Sequence, residues 1–528
     1  MNAFSQKLYS FSCRFIQVCG LLLTFLLFAG AFLCTCYSEN METQLVLAKW
    51  DNPVFGLLGM AAFLLLFSGI IHFLFRHTNS PVKILRMLTL LWCVGLGGIL
   101  ILFGRTVPAA DSLSVYSIAE TLAAGDTSVI HPTESYLSYY PQQVGLTAFF
   151  EILIRLWKLL PGGLPAYHFI KCVHAGLLCV IICFQEQTVH LLWENEKTDC
   201  IYLLLAGFHL PFIMYSSFVY GEIPSFAAVS AGFYYLLKLL ARRDGSENFR
   251  PAVPAVLCLS LGVMLRKNNL ILLIAALIVI LLEWLRSRRH GLLAVGLACL
   301  VCGLGILPMV QKSYELRAGS ELSSGVTATS YLAMGMQESS RAEGWYNGFN
   351  FNTFQEAGLD PGLADEISRQ AISERLQFFR EHPGYTARFY LRKHLSQWAD
   401  GTYASRQATL ATYGGRSSFF ISLYEGSLSR FFISCCNAYQ NILYLGALIC
   451  FFTLSRERRR VKTAPALGKY LCFIAVLGGF LFHIFWEANS RYIFLYSLLL
   501  LPYAACGINS LIRRVNNTSA RGEVPGNN

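Results

Sequence analysis

Residues 105–145 read RTVPAADSLSVYSIAETLAAGDTSVIHPTESYLSYYPQQVG and follow three long apolar segments. The stretch contains four acidic residues, Asp111, Glu120, Asp126 and Glu134, and several tyrosines. Such a stretch is too polar for the lipid core, where charged side chains are costly and irregular backbone has no partners. We therefore expect a loop at the membrane surface, where carboxylates and tyrosines can act on a membrane substrate.

The composition is that of a polytopic membrane protein. Of the 528 residues, 55% are hydrophobic and only 14% are charged. Apolar runs of about twenty residues, the length that crosses a bilayer as a helix, recur along most of the chain. They are rich in leucine and do not alternate with polar residues, which favours helices over a β-barrel. The first run, 18–37, is too long for a signal-peptide core, so we expect it to remain as the first span.

Basic residues lie in short loops between these runs, so the net charge of +11 indicates membrane orientation and not nucleic-acid binding. The alternation places both termini in the cytoplasm and residues 105–145 and 311–430 outside. Residues 143–160 are apolar but carry three charges, and we expect a half-buried or re-entrant helix there. About twelve spans satisfy the charges, or thirteen if 143–160 also crosses. The predicted spans are 18–37, 54–75, 87–103, 169–184, 201–219, 223–240, 253–265, 270–284, 292–310, 431–454, 470–486 and 492–512.

This pattern divides the chain into regions. They are an N-terminal transmembrane region, 1–310, that contains the outer catalytic loop 105–145; an outer-face loop, 311–430; a C-terminal transmembrane region, 431–514; and a polar cytoplasmic tail, 515–528.

The loop 311–430 contains two predicted helices. Apolar residues recur at helical spacing over 363–379, and Pro383 separates this run from a second one, 385–398. We expect amphipathic helices that lie on the membrane or cover the catalytic cavity, with no soluble core of their own.

Two carboxylates are candidates for chemistry. Asp111 precedes a helical stretch and could take a proton from an acceptor hydroxyl, or it could cap that helix. Glu222, in VYGEIPS, lies at the outer end of a span, where an ionisable group is a functional candidate. A helix-start carboxylate favoured by the helix dipole is the alternative for Glu222.

Three cations lie at the same predicted membrane face. Arg266 and Lys267 interrupt a long apolar stretch in LRKNNL, and Arg491 follows a span in WEANSRYIF. Such cations suit a phosphate or pyrophosphate. The alternatives are snorkelling toward lipid headgroups and, for Arg491, an ion pair with Glu487 if one helix contains both.

The order of these features resembles the multi-spanning glycosyltransferases of the GT-C class, which includes protein O-mannosyltransferases, lipid A aminoarabinose transferases and the bacterial family 39 enzymes. The matching pieces are PAADSLSVYSIAETLAAGD, YYPQQVG, VYGEIPS, LRKNNLILLIA, GWYNGF and SRYIFLYSLLLLP. The resemblance implies a GT-C-like helical bundle and inverting transfer of a sugar from a polyprenyl phosphate outside the membrane. It also implies that Asp111 is the base, Glu222 the second acid, Lys267 a donor-phosphate lysine and Arg491 the late Arg–Tyr arginine. Relatives often carry paired acids in the first loop, whereas here Asp111 follows Ala110.

We therefore predict an all-α polytopic glycosyltransferase of the cell membrane that acts on the outer face upon a glycan, lipid or protein acceptor. The alternatives are a lipid-linked oligosaccharide transporter, or a ligase or polymerase of lipid-linked glycans. Metal use varies in the class; no residues are assigned as metal ligands here, and a divalent metal stays open. Besides Asp111, Glu222, Arg266, Lys267 and Arg491, the candidates for acceptor or sugar binding are Glu134, Tyr139, Tyr140, Trp345 and Tyr346.

The predicted topology is testable by cysteine accessibility. On a background without native cysteines, Ser128→Cys should react with a membrane-impermeant thiol reagent from outside, because residues 105–145 lie on the side opposite the basic loops. Labelling of Ser128→Cys only from the cytoplasmic side would overturn the predicted orientation and the location of the chemistry with it.

Overall fold

The computed structural model describes residues 3–38, 43–130, 135–241, 249–409, 417–460 and 467–522. The described chain is helical apart from one two-stranded antiparallel hairpin. Ten helices are long and apolar enough to cross a membrane, and a bent pair of helices makes eleven. The protein is thus an all-α, multi-pass membrane protein, as predicted.

The first part of the chain forms three long helices, the hairpin and a group of short helices. The elements are α1 (Ala3–Leu33), β1 (Cys34–Ser38), β2 (Val46–Trp50), α2 (Pro53–His77), α3 (Pro81–Phe103), α4 (Asp111–Ala123), α5 (Tyr136–Tyr139) and α6 (Val144–Lys158).

The middle part is mostly long helices. They are α7 (Ala166–Trp193), α8 (Glu196–Phe208), α9 (Leu210–Met214), α10 (Glu222–Leu240), α11 (Ala252–Leu265), α12 (Leu270–Ser287) and α13 (Gly291–Ala318).

Six short or amphipathic helices precede the last three long ones. They are α14 (Ala328–Gly335), α15 (Phe349–Glu356), α16 (Pro361–Glu381), α17 (Pro383–Trp398), α18 (Ser405–Ala408) and α19 (Ser418–Tyr424), followed by α20 (Ser427–Arg460), α21 (Leu471–Phe485) and α22 (Ser490–Gly522).

Each predicted span is largely helical, but two of them differ from a straight crossing. Residues 201–219 form α8 and a second helical segment bent by 59°, because Pro211 follows the break at His209 and cannot continue the hydrogen-bond ladder. The span predicted at 253–265 is α11, whose 14 residues are fewer than the about twenty that a full crossing needs. Helix length therefore supports ten or eleven full spans, fewer than predicted.

The predicted end of the first span, at residue 37, is wrong. Helix α1 ends at Leu33, and the next residues form β1, which pairs with β2. Backbone partners outside the hairpin explain the difference, since Cys36 N donates to Ala399 O at 2.9 Å and Val46 N donates to Arg341 O at 2.9 Å. The hairpin is therefore joined to the long loop that precedes α20.

Helix α6 is the segment predicted as half-buried, and it is not among the candidate spans. Its buried face includes Phe150 and Glu151, while Ile152 and Leu156 are exposed. Glu151 accepts hydrogen bonds from Arg155 and from Arg317 of α13. A helix fixed by these charges lies against the end of α13.

The two predicted helices of the outer loop are confirmed as α16 and α17, with the break before Pro383. They do have an apolar core of their own, contrary to expectation, in which Met336, Phe379 and Phe389 are buried. Leu376, by contrast, is exposed. Helices α14, α16 and α17 form a small folded unit because their apolar faces meet each other.

Close helix packing positions the last span. Helix α22 packs along α20, and a Cβ at Gly507 would overlap the backbone carbonyl of Gly446. Small residues at such a crossing let two membrane helices approach closely. The backbone of α22, which begins just before Arg491, is thereby held against the bundle.

Replacing Gly507 by Ala should lower the thermal stability of the purified protein in detergent. Overpacking costs about 1–3 kcal/mol, because the added methyl group must displace the α20 backbone. Gly95→Ala in α3 is the matched control, since nothing lies within 4 Å of a Cβ there. Equal unfolding temperatures for the two variants would show that the α20–α22 crossing does not depend on this glycine.

Candidate functional site

Four of the predicted residues meet, although they come from distant parts of the chain. Arg266 Nη1 lies 2.6 Å from Glu222 Oε1, and Arg491 Nε lies 3.8 Å from the same oxygen. Arg491 Nη2 lies 3.9 Å from Asp111 Oδ2. These four residues thus form one charge cluster. Asp111 and Glu222 begin α4 and α10, Arg266 follows α11, and Arg491 lies at the start of α22.

Glu222 is the centre of this cluster. Its side chain is only 1% exposed, and it is the first residue of α10, where the helix dipole favours a negative charge. Among the described residues, neither carboxyl oxygen has a hydrogen bond of good geometry, and Arg266 Nη1 and Arg491 Nε are also without one. The close contact between Glu222 and Arg266 is therefore an ion pair without hydrogen-bond geometry. Buried N–H donors that lack a hydrogen-bond partner can bind the oxygens of an anionic ligand.

Aromatic rings surround the Arg491 guanidinium. Its central carbon lies 5.8 Å from the centroid of Phe218, 5.5 Å from that of Tyr220 and 5.5 Å from that of Tyr492. Each ring face attracts a cation. The guanidinium is thus held in place by contacts that leave its N–H groups available at the edges.

Asp111 does not cap its helix. The N-cap position is Ala110, and no side chain caps the helix there. Ala110 has φ 48° and ψ −130°, a strained backbone for a residue with a side chain, and such strain concentrates at functional sites. The Asp111 side chain is 47% exposed, and neighbouring Ser112 Oγ donates to Val219 O at 2.7 Å. Asp111 is therefore half-exposed at the edge of the cluster, on a helix tied to the segment before α10.

Lys267 does not join the cluster. Its side chain is exposed, and the described residues include no ion pair to it. Arg266 has extended backbone, φ −155°, before the short helix Lys267–Asn269. Of two adjacent cations, only Arg266 turns into the protein.

The aromatic candidates differ in their environment. Tyr139 is buried, and its ring stacks on Phe351 at 4.6 Å, so it belongs to a small apolar core. Trp345 is also buried, where its Nε1 donates to Ser396 Oγ at 2.9 Å. Both pack the fold and are not open to a ligand. Glu134 lies outside the described residues.

Tyr140 and Tyr346 lie near the carboxylates. Burial and the charges of Asp111 and Glu487 raise the pKa of both tyrosines. Both are partly exposed. These two partly exposed tyrosines are thus near enough to the carboxylates to interact with their charges.

Glu487 belongs to this site and is not the partner of Arg491. The chain is not one helix here, because α21 ends at Phe485 and α22 begins at Ser490, and no ion pair joins Glu487 to Arg491 within the described ranges. The Glu487 carboxyl accepts a hydrogen bond from Tyr492 Oη at 3.0 Å, and burial raises its pKa to about 7. An acid placed directly after the aromatic end of an apolar run is the signal in the sequence that could have identified it.

The linker 486–489 between α21 and α22 is held from several sides. Buried Lys393 of α17 donates to Trp486 O at 2.8 Å and to Gly335 O, and burial lowers its pKa to about 7. Ala488 N donates to Gly344 O at 2.8 Å, and Ser490 Oγ donates to Asp400 Oδ2 at 2.6 Å. The loop before α20 therefore fixes the segment that carries Glu487 and leads to Arg491.

A narrow cavity adjoins the cluster at Arg266 and Tyr492. It is lined by Arg266, Asn268, Asn269, Leu272, Tyr492, Leu495 and Tyr496. No group of three or more His, Cys, Asp or Glu that could hold a metal ion occurs within the described part of the chain.

No protein-family model and no curated protein matches the sequence. Among solved structures, the chain is similar to the archaeal oligosaccharyltransferase AglB from Archaeoglobus fulgidus in complex with an inhibitory peptide and a dolichol-phosphate, at 12% identity and a TM-score of 0.43. The match covers 85% of this chain and 53% of that chain, so the chain spans about half the length of AglB. At this level the likeness assigns neither an activity nor a ligand to this chain.

The buried ion pair should be visible in stability measurements. Glu222→Gln leaves Arg266 without its counter-ion and Arg491 with only the carboxylate of Asp111 at 3.9 Å. Removing one partner of a buried pair costs about 3–5 kcal/mol. The double variant Glu222→Gln/Arg266→Gln should lose less than the sum of the single losses, because it removes the uncompensated cation. Unfolding in detergent is measured for Glu222→Gln, Arg266→Gln and the double variant, with exposed Glu356→Gln as the control. Strictly additive losses of stability would contradict the coupling between Glu222 and Arg266.

Proposed function

We propose that this protein is a polytopic membrane glycosyltransferase, GT-C-like in architecture, that moves a sugar from a polyprenyl-phosphate carrier to a cell-envelope acceptor on the outer face of the membrane. The observation that carries the proposal is the meeting of two partly buried guanidiniums, each with a buried nitrogen that has no hydrogen bond among the described residues, and a half-exposed carboxylate at 3.9 Å from one of them. Cations for a phosphate and a base for a hydroxyl are what such a transfer requires.

The reaction divides between the two sides of the cluster. The acceptor hydroxyl oxygen attacks the anomeric carbon of the donor sugar while Asp111 takes the hydroxyl proton. The bond between that carbon and the phosphate oxygen breaks, and the polyprenyl phosphate leaves with the electron pair. Arg266 and Arg491 stabilise the charge that develops on the leaving phosphate, and attack opposite the leaving group inverts the anomeric centre.

The remaining residues have supporting roles in this proposal. Glu222 orients the two arginines, and exposed Lys267 contacts the lipid phosphate as it arrives. Tyr140 and Tyr346 contribute a surface for sugar. The polyprenyl chain lies toward the membrane, on the side of the cavity beside Leu272 and Leu495.

The arrangement of charges favours an enzyme over a lipid-linked oligosaccharide transporter. A transporter needs polar groups along a path through several spans. Here Asp111, Glu222, Arg266 and Arg491 lie at the ends of their helices, next to the loops that cover them. The assay described next determines whether the acceptor is a glycan, a lipid or a protein, and whether the reaction depends on a divalent metal.

Asp111→Asn tests the proposed base. Purified protein is incubated with a panel of polyprenyl-phosphate hexoses and pentoses together with glycan, lipid or protein acceptors, and release of polyprenyl phosphate is measured with and without Mg²⁺ or Mn²⁺. Because Asn keeps the shape and cannot accept the proton, transfer should fall by about 10²–10⁴-fold with donor binding unchanged.

Asp365→Asn, a carboxylate on α16 outside the cluster, is the matched control. Near-normal turnover by Asp111→Asn would remove Asp111 from the role of base. Absence of turnover with every donor would overturn the proposed reaction itself.

A further inference from the structure

Glu487 is a buried acid that the proposed reaction does not use. It is 7% exposed and lies in the linker before α22. Its Oε1 accepts the hydrogen bond from Tyr492, and its Oε2 has no hydrogen-bond partner among the described residues. A carboxylate has about four acceptor positions. Most of the hydrogen-bonding capacity of this group is therefore left over.

Other buried acids of this protein are satisfied differently. Glu151 contacts Arg155 and Arg317 directly, and Glu283 pairs with Arg286. Burial of a carboxyl group is costly without such partners. Glu487 has one tyrosine hydroxyl and no arginine within ion-pair distance in the ranges that the structure describes. Glu487 thus keeps acceptor positions that are open to a ligand.

The surroundings of Glu487 indicate the chemistry of a ligand. The ring of Tyr492, whose hydroxyl donates to Glu487, also lies beside the two guanidiniums, whose central carbons are 5.9 Å (Arg266) and 5.5 Å (Arg491) from the ring centroid. The charge of Glu487 also contributes to the raised pKa of Tyr140 and of Tyr346. Carboxylate oxygens accept hydrogen bonds from sugar hydroxyls, and aromatic rings pack on the apolar face of a sugar.

We propose that Glu487 is the residue that recognises the sugar of the donor, with its free Oε2 accepting a hydrogen bond from a sugar hydroxyl between the phosphate-binding arginines and the rings of Tyr140 and Tyr346. Tyr492 is a positioning residue, because its hydroxyl fixes Oε1. This inference rests on the proposed function and deepens it: the arginines bind every polyprenyl phosphate alike, and Glu487 distinguishes those that carry a sugar.

Binding of two probes separates these contributions. The probes are a polyprenyl phosphate without sugar and a polyprenyl-phosphate hexose of the same chain length, titrated against the full-length protein in detergent. Arg491→Gln should weaken both ligands. Glu487→Gln should weaken the hexose-bearing ligand by about fivefold or more and leave the sugarless ligand unchanged, because an amide oxygen is a weaker acceptor than a carboxylate.

Three further variants complete the design. Glu487→Met, which removes the acceptor altogether, should weaken the hexose-bearing ligand by about 10-fold or more. Tyr492→Phe keeps the ring beside the guanidiniums and should show a smaller loss, again only for the hexose-bearing ligand. Glu356→Gln, an exposed acid of α15, is the matched control and should change neither. Monodeoxy hexose ligands then identify the hydroxyl, since the effect of Glu487→Gln should vanish for the analogue that lacks it.

The outcomes are distinguishable. Equal weakening of both probes by Glu487→Gln would make Glu487 part of the phosphate site and overturn the proposal. Unchanged binding of both probes by Glu487→Gln and Glu487→Met would make it a structural acid. The proposed function would instead be overturned if the wild-type protein failed to bind the sugarless ligand and Arg491→Gln did not change binding of the hexose-bearing ligand.

Discussion

The buried carboxylate of Glu222, shared by two guanidiniums, is the constraint on which the rest of the site depends. A charge at 1% exposure is tolerable only with opposite charges in contact, so Arg266 and Arg491 must lie beside it. Because these residues sit at the start of α10, after α11 and at the start of α22, three helix ends are brought together. Asp111 then completes the cluster from α4, at the edge that water reaches.

The loop before α20 supports this cluster through the linker 486–489. Lys393 holds Trp486, the backbone of Gly344 holds Ala488, and Asp400 holds Ser490. These contacts explain why a segment between two apolar helices has a defined position. A change in that loop would move the linker, and with it Glu487 and the start of the helix that carries Arg491. The position of the charge cluster therefore depends on the loop before α20.

Individual residues show which parts of the candidate site the sequence predicts. Asp111, Glu222, Arg266 and Arg491 are candidates in the sequence because they put carboxylates and cations at one predicted membrane face, and the structure brings them together. Lys267, Tyr139 and Trp345 are candidates too, and the sequence does not separate them from their neighbours Arg266, Tyr140 and Tyr346. One residue step along the chain changes which way a side chain faces, and only the packed neighbours decide which direction is inward.

The sequence by itself determined that this is an all-α membrane protein, where most of its helices lie and which residues at their ends are candidates for chemistry. Hydrophobic length and the positions of charges are local properties, and the cost of polar groups in lipid makes them decisive. Only the tertiary structure decided that α1 stops at Leu33 for the hairpin, that α16 and α17 share a core with α14, and that Glu487 turns to Tyr492 and not to Arg491. Each of these depends on contacts between residues far apart in the chain, whose energies no local pattern contains.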